Sequence, residues 1–351
     1  MTTVHQFHPV LAPGDAMSNH VFALQDRVRA WGHKAAAYAI EAKDGVDALP
    51  YRRLFRGLRP DDVLVLHFSM GHEVFDQLAR LEARKILVYH NVTPPEFFAG
   101  INPHAAAFSQ LGRRQLATLA PHVELAVGVS EYNRRELEAA GFDATATVPI
   151  LIDWASYDVD PDEGVLAAWS GPGAKLVFVG RVSPNKRHDD LIRMLAYYRR
   201  CIDPEAQLIL VGSYRDQPQY HARLGSLARA LDLAGAVTFT GPVPLAQLVA
   251  YYRAASVFVS LSEHEGFGVP LLEAMRFRVP VVAYDAAAVG ETVGQAALLL
   301  PRKDLPEAAE ACALAVERPS LREALVAAGQ RRVADFSTDL VARRTREVLG
   351  L

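Results

Sequence analysis

Short apolar runs alternate with longer amphipathic stretches from one end of the chain to the other. In the first half the runs predict strands at Thr3–Phe7, Ala35–Ile40, Val63–Phe68, Lys85–Tyr89, Glu124–Val129 and Ala144–Val148. Between them, His20–Trp31, His72–Leu81, Pro103–Leu119 and Glu131–Ala140 carry apolar positions at helical spacing. Apolar runs of about 4–6 residues separated by amphipathic helices belong to parallel strands whose two faces are both covered. Gly141 follows the last of these helices, where a left-handed C-cap belongs. Residues 152–173 are acidic and turn-rich, with no strand pattern, and read as a linker after a first domain of residues 1–151.

The alternation then restarts over 174–336. Strands are expected at Lys175–Val179, Gln207–Val211, Ala236–Thr240, Ser256–Ser260, Val279–Ala283 and Ala297–Leu300. Helices are expected at Asp189–Arg200, Gln219–Ala230, Leu245–Ala254, Val269–Arg276, Leu305–Glu317 and Ser320–Phe336. A last helix, Thr338–Leu349, is expected to return to the first domain within residues 337–351. The fold class is α/β, with two doubly wound sheets. Such sheets predict a ligand cleft between domains, at the carboxyl ends of the strands.

Composition narrows this picture. A chain of 351 residues suggests about two domains, and 50% hydrophobic residues supply their cores. Thirty-seven Lys and Arg against 40 Asp and Glu leave a charge of -3, no footprint for nucleic acid. Two cysteines, Cys201 and Cys312, without a CxxC pair point to a reducing, cytoplasmic setting. The N-terminus reads as no signal peptide, and no run approaches the ~20 apolar residues of a spanning helix.

The strongest chemical signal is Ser260 to Glu273, SLSEHEGFGVPLLE. A strand ends, a polar glycine-containing loop follows, and Pro270 sits in the first turn of a helix, where a missing N–H costs nothing. Such a helix start offers backbone N–H groups and a dipole to an anion. Gly266 and Gly268, flanking Phe267, permit close approach of a ligand. Glu265 lies in the loop and Glu273 in the helix, so one carboxylate can face a sugar and the other a ribose. The ordinary alternative for Glu273 is a solvated helical carboxylate.

The second signal is Val177 to Ile192, in which a buried strand ends at Gly180 and two cations, Arg181 and Lys186, follow before a helix. A guanidinium fork and an ammonium point charge suit a departing diphosphate without a metal. The alternative is two surface cations flanking a turn.

These stretches resemble glycosyltransferase family 4, retaining nucleotide-sugar-dependent transferases with the GT-B fold. Glu265 and Glu273 match its Glu, seven residues, Glu motif; Gly180, Arg181 and Lys186 match its strand-end G-R-x-x-x-x-K. YYRAASVFV, Tyr251–Val259, resembles the helix and strand before the Glu motif. The resemblance implies that Arg181 and Lys186 hold the diphosphate, Glu273 the donor ribose, and Glu265 the transferred sugar. It places the nucleobase near Gly212–Ser213 and the Thr240–Pro244 turn, which includes Val243. It implies a nucleotide sugar as co-substrate and no cofactor; no D-x-D pair stands in a nucleotide-sugar metal context, which fits metal independence.

The first half carries weaker signals. The loop after the first strand holds one glycine, Gly14, where the family commonly has two or three. Ser18 or Asn19 is the expected N-cap of the next helix, and Asp15 either binds an acceptor hydroxyl or fixes the turn. Lys85–Tyr89 runs into His90 and Asn91, then Thr-Pro-Pro. His90 matches a family histidine facing the donor sugar, and Asn91 is an acceptor-side candidate. This H-N-x-T-P-P form is similar to that of bacterial surface-polysaccharide enzymes. His5 and His8 form an H-x-x-H whose rings point to opposite faces of a strand, a poor metal pair. His67, His72 and His104 read as packing or acceptor-side residues. Arg52, Arg53, Arg56 and Arg59, interleaved with Leu54, Phe55 and Leu58, read as an amphipathic surface helix or as a patch for peripheral contact with the inner face of a membrane.

Together these features predict a metal-independent, retaining hexosyltransferase using a UDP- or GDP-sugar and a hydroxyl acceptor on a glycan, a lipid-linked glycan or a small molecule. The rival readings are a nucleotide-sugar epimerase of the same fold and a catalytically silent nucleotide-sugar or glycan binder. A dehydrogenase is disfavoured, because Gly266-Phe-Gly268 lacks the third glycine of a dinucleotide fingerprint.

Overall fold

Residues 2–43 and 45–351 are described by a computed structural model, which divides into two units. The first unit comprises the chain to Ala99, Pro103–Trp154 and Phe336–Leu351; the second comprises Gly100–Asn102 and Ala155–Asp335.

In the first unit seven parallel strands form one sheet: β1 (Thr3–Phe7), β2 (Lys34–Ala39), β3 (Leu49–Pro50), β4 (Val63–Phe68), β5 (Arg84–Tyr89), β6 (Leu125–Gly128) and β7 (Thr145–Thr147). Their order is β3-β2-β1-β4-β5-β6-β7. Every residue of β4 is buried, the signature of a central strand covered on both faces. Phe7, Leu64, Leu66, Phe68, Phe75 and Tyr89 pack in the main core, while Leu11, Val21, Ala37 and Ala39 form a second cluster. Each valine, leucine or phenylalanine among them contributes roughly 1.5–3 kcal/mol by leaving water.

The second unit repeats the architecture with six parallel strands: β8 (Lys175–Val179), β9 (Gln207–Val211), β10 (Val237–Gly241), β11 (Val257–Ser260), β12 (Val281–Tyr284) and β13 (Leu298–Leu300). Their order is β10-β9-β8-β11-β12-β13. In both sheets the chain starts in the middle, builds outward on one side, then returns to build on the other. Each sheet therefore has a switch point, between β1 and β4 and between β8 and β11, where loops at the carboxyl ends diverge and leave room for a ligand.

Three departures from the sequence reading bear on the loops and the unit boundary. The first helix begins at Ala16, four residues before the expected start, because Asp15 caps it: its Oδ2 accepts from the Ser18 N–H and the Ser18 hydroxyl, each at 3.1 Å. Ser18 and Asn19 thus lie inside the helix. Residues 152–173 are also not a free linker, since the second unit already begins at Ala155. A short helix, Glu163–Ala168, is capped by Asp162, which accepts from the Val165 N–H at 2.9 Å and from Gln247 Nε2 at 3.1 Å. Six residues are too few to display helical periodicity. Third, the arginine-rich stretch forms only a 3₁₀ turn, Tyr51–Arg53, and a single helical turn, Leu54–Gly57, with Leu54 buried and all four arginines exposed. Among the described residues no helix is long and apolar enough to cross a membrane.

The C-terminal helix, Thr338–Leu349, belongs to the first unit. It buries Val341, Ala342, Thr345 and Leu349 along one stripe. The Thr338 hydroxyl donates to Ile152 O at 2.8 Å, Trp154 Nε1 to Phe336 O at 2.9 Å, and Arg84 to Leu349 O at 2.5 Å.

Candidate functional site

In the second unit, the switch point brings together the loops after β8 and β11. Asn185 ties them: its backbone oxygen accepts from the Glu263 N–H at 2.9 Å, and its side chain donates to His264 O at 3.0 Å. The Ser183 hydroxyl holds that side chain by donating to Asn185 Oδ1 at 2.7 Å. Sequence reasoning passed over Asn185, because its partners lie about eighty residues away. The stitching brings Lys186 and Glu265 into an ion pair, both partly buried, while Arg181 stays exposed. Arg187, at a left-handed φ of 51°, locks the far side of the turn through Glu263 at 2.6 Å and Asp189 at 3.1 Å.

Gly268, at φ 92°, is the N-cap of the helix Val269–Arg276, and no side chain caps that end. The helix start therefore keeps its dipole for an anion, although Pro270 has no N–H and the Leu271 N–H is already given to Gly268 O at 3.0 Å. The Thr292 hydroxyl donates to Phe267 O at 2.5 Å, fixing the loop from below. Beside it, the ends of β8 and β9 almost touch. A Cβ on Gly212 would come within 2.2 Å of Gly180 O, so only glycine fits there. Gly212 N also donates to Gly241 O at 3.1 Å, and Val243 follows, partly buried, in the turn after β10.

Glu273 is not a solvated helical carboxylate. It is buried, and its two oxygens accept from the hydroxyls of Tyr157 at 2.5 Å and Tyr252 at 2.6 Å. Burial raises its pKa above the ordinary carboxylate range, and the two tyrosine bonds oppose that shift. Tyr157 comes from the stretch read as linker, so no local pattern announced it. A surface cavity of about 460 Å³ lies beside Tyr157, lined also by Asp158, Arg253, Arg276 and Phe277; it contains none of Arg181, Lys186 and Glu265.

In the first unit, Gly14 adopts φ 73° in the loop after β1, and Asp15 is engaged as the helix cap. Asn91, expected on the acceptor side, is turned inward at φ 81°. It donates to Asn133 Oδ1 and Glu136 Oε2, each at 2.8 Å, and Tyr89 and Arg113 converge on the same Glu136. That network makes Asn91 a brace for the strand end that carries His90. His5 and His8 diverge: His5 meets Tyr38 at 3.0 Å and Asp62 at 3.3 Å, and His8 meets Ser69 at 2.9 Å.

His90, itself partly exposed, instead clusters with the buried His67 and His20, which sequence reasoning treated separately or not at all. His67 Nδ1 and His90 Nε2 are 3.0 Å apart, His67 Nε2 lies 2.9 Å from Gln6 Oε1, and His20 Nδ1 accepts from the Leu151 N–H at 2.8 Å. The His20 ring lies edge-on to both others, with centroids 5.4 Å away. Burial lowers the pKa of all three: His20 to about 4, and His67 and His90 well below the ordinary value. All three are therefore neutral near pH 7.

Residues 168–332 match the family described as glycosyl transferases group 1. Over 262 residues the chain is 30% identical to a D-inositol 3-phosphate glycosyltransferase of Kineococcus radiotolerans, a match covering 68% of this chain and 59% of the relative. It is 31% identical over 227 residues to a phosphatidyl-myo-inositol mannosyltransferase of Mycobacterium leprae, covering 63% of this chain and 58% of that protein. The chain thus spans little more than half the length of these relatives. The crystal structure of Anabaena HepE in complex with UDP-glucose has a TM-score of 0.81 at 17% identity, covering 100% of both chains. At that identity the likeness shows the fold alone, and the fold is GT-B.

Proposed function

The chain is a member of the group 1 glycosyl transferases, and on that footing we propose that it moves a hexose from a UDP- or GDP-sugar to a hydroxyl, with retention of anomeric configuration. The observation that carries this reading is the Lys186 and Glu265 pair at the β8/β11 switch point, beside Arg181 and an uncapped helix start. A cationic group and a carboxylate held side by side suit the two ends of one donor: diphosphate on the first, sugar hydroxyls on the second.

In this reading Arg181, Lys186 and the Gly266–Gly268 loop hold the diphosphate, with Gly180 giving its oxygens close access to backbone; Gly14 remains the donor-side candidate of the first unit. Glu265 binds the transferred sugar. Glu273, fixed by its two tyrosines, presents its remaining lone pairs to the ribose. The base rests on Gly212 and Val243. His90 remains a sugar-binding candidate of the first unit, and Asp15 an acceptor-side candidate that caps the helix after its loop. The bond from the anomeric carbon to the diphosphate oxygen breaks as the acceptor oxygen bonds on the same face. The hydroxyl proton passes to the departing phosphate oxygen. Fixed cations and backbone dipoles neutralise that charge, so no divalent ion is required. The bound UDP-glucose of HepE supports a UDP-linked donor, and the relatives named for inositol phosphate and phosphatidylinositol acceptors support a hydroxyl on a polyol or glycolipid.

The test is a panel of UDP- and GDP-sugars screened for protection against thermal unfolding, followed by assay of the protecting donor in excess EDTA. Lys186→Ala should lower turnover by roughly 10²-fold and weaken nucleoside diphosphate binding far more than monophosphate binding. Equal loss for both nucleotides, or activity abolished by EDTA and restored by Mg²⁺, overturns the assignment.

A further inference from the structure

The histidine cluster of the first unit, two buried rings and the partly buried His90, carries a directional chain of hydrogen bonds. Gln6 starts it. Its Nε2 donates to Val21 O at 3.0 Å, which fixes the amide orientation and leaves Oε1 as a pure acceptor. The neighbour of that oxygen is His67 Nε2, at 2.9 Å, so His67 must carry its proton on Nε2. A neutral His67 then presents a bare Nδ1. The neighbour of that atom is His90 Nε2, at 3.0 Å, so His90 must donate its only proton there. What remains is His90 Nδ1, an atom that is buried and, among the described residues, has no hydrogen-bond partner. An open buried acceptor costs about 1–3 kcal/mol, which a bound donor would recover.

A metal is the rival occupant, since ring nitrogens of His20, His67 and His90 lie within 4.8 Å of one another. The hydrogen-bond directions oppose it. A histidine that ligates through one nitrogen carries its proton on the other and donates it outward. His20 accepts at Nδ1 from the Leu151 N–H, so ligation through Nε2 would set two N–H groups head to head. Ligation by His90 Nε2 would leave an Nδ1–H with nothing to receive it. Only His67 has the outer partner a ligand needs.

We propose that Gln6 and His67 are positioning residues that commit His90 to the Nε2–H tautomer, so that His90 meets a bound sugar only as a hydrogen-bond acceptor, through Nδ1, from a sugar hydroxyl. The tautomer is a property of this chain alone; the identity of the ligand rests on the glycosyltransferase reading. The consequence is a specificity rule. A donor sugar with a hydroxyl against Nδ1 is favoured, and the deoxy analogue leaves the acceptor open.

The test begins with the free protein, its histidines labelled with ¹⁵N, and long-range ¹H–¹⁵N spectra assigned with His67→Asn and His90→Gln. His67 and His90 should each carry a single proton, on Nε2. A proton on His90 Nδ1 overturns the proposal, as do shifts in all three rings on adding one equivalent of Zn²⁺. Gln6→Leu, checked for an intact amide spectrum, should leave His90 in mixed tautomers. On the donor selected by the thermal panel it should lower kcat by roughly tenfold, the worth of one good hydrogen bond, with little change in KM. An unchanged His90 tautomer and kcat in Gln6→Leu refutes the relay. Should that variant not fold, the wild-type tautomers decide alone. If the tautomers are as stated and no donor is turned over, the function reading fails and the relay stands.

Discussion

Lowering the pH from 7 to 5 should destabilise the first unit through His20, and the size of the effect follows from its surroundings. His20 is buried in the folded chain and its pKa is lowered by that burial to about 4, against 6.5 when exposed. Between those values the unfolded chain binds the proton and the folded chain does not. Stability therefore rises with pH across this window: the contribution is complete above 6.5 and is lost as pH falls toward 4. The gap corresponds to about 3 kcal/mol, of which about 2 kcal/mol is gone by pH 5. The structure names the contact that breaks, the Leu151 N–H to His20 Nδ1 bond, since a protonated Nδ1 cannot accept. His20→Asn keeps an acceptor at a similar place and cannot titrate. With Trp31 and Trp169 replaced by Phe, the buried Trp154 becomes the single tryptophan and reports the first unit. Urea unfolding followed by its fluorescence, at pH 7 and pH 5, should show a loss about 2 kcal/mol greater in the parent than in His20→Asn. Losses from His67 and His90 occur in both chains and largely cancel. Identical pH dependence in the two chains would refute the assignment of a buried, neutral His20.

Two further outcomes test the second unit. Gly212→Ala places a methyl group 2.2 Å from Gly180 O and should cost about 3 kcal/mol while abolishing nucleotide binding; Gly171→Ala, which meets nothing within 4 Å, is the control, and equal chemical-denaturation curves for the two would contradict the close approach. Glu273→Gln cannot accept from both Tyr157 and Tyr252, so it should lose about 1–2 kcal/mol of stability and bind nucleoside diphosphate more weakly by titration calorimetry. Glu265→Gln should keep that affinity and lose turnover, and matching effects of the two on nucleotide binding would sink the division of roles.

The strands of both sheets were legible because buried parallel strands are short continuous apolar runs. Thr3–Phe7, Val63–Phe68, Lys175–Val179 and Gln207–Val211 begin and end where the pattern says. Leu49–Pro50 was not legible, since a two-residue edge strand exists only by pairing with β2. The two candidate loops were legible for a related reason. The donor binding proposed for them needs glycines, cations and a helix start at one strand end, and these are contiguous in sequence. The tertiary structure alone decided which groups those loops and strand ends meet. Tyr157 reaches Glu273 across 116 positions, Asn185 joins two loops 79 positions apart, and Gln6 reaches His67 across 61. A hydrogen bond depends on distances of tenths of an ångström between side chains that only the sheet order makes neighbours, so residue type at each position left it open. The protonation of His90 is the sharpest case: the strand-end histidine could be read from the chain, but which of its nitrogens is bare is settled by an amide on a strand two places away in the sheet.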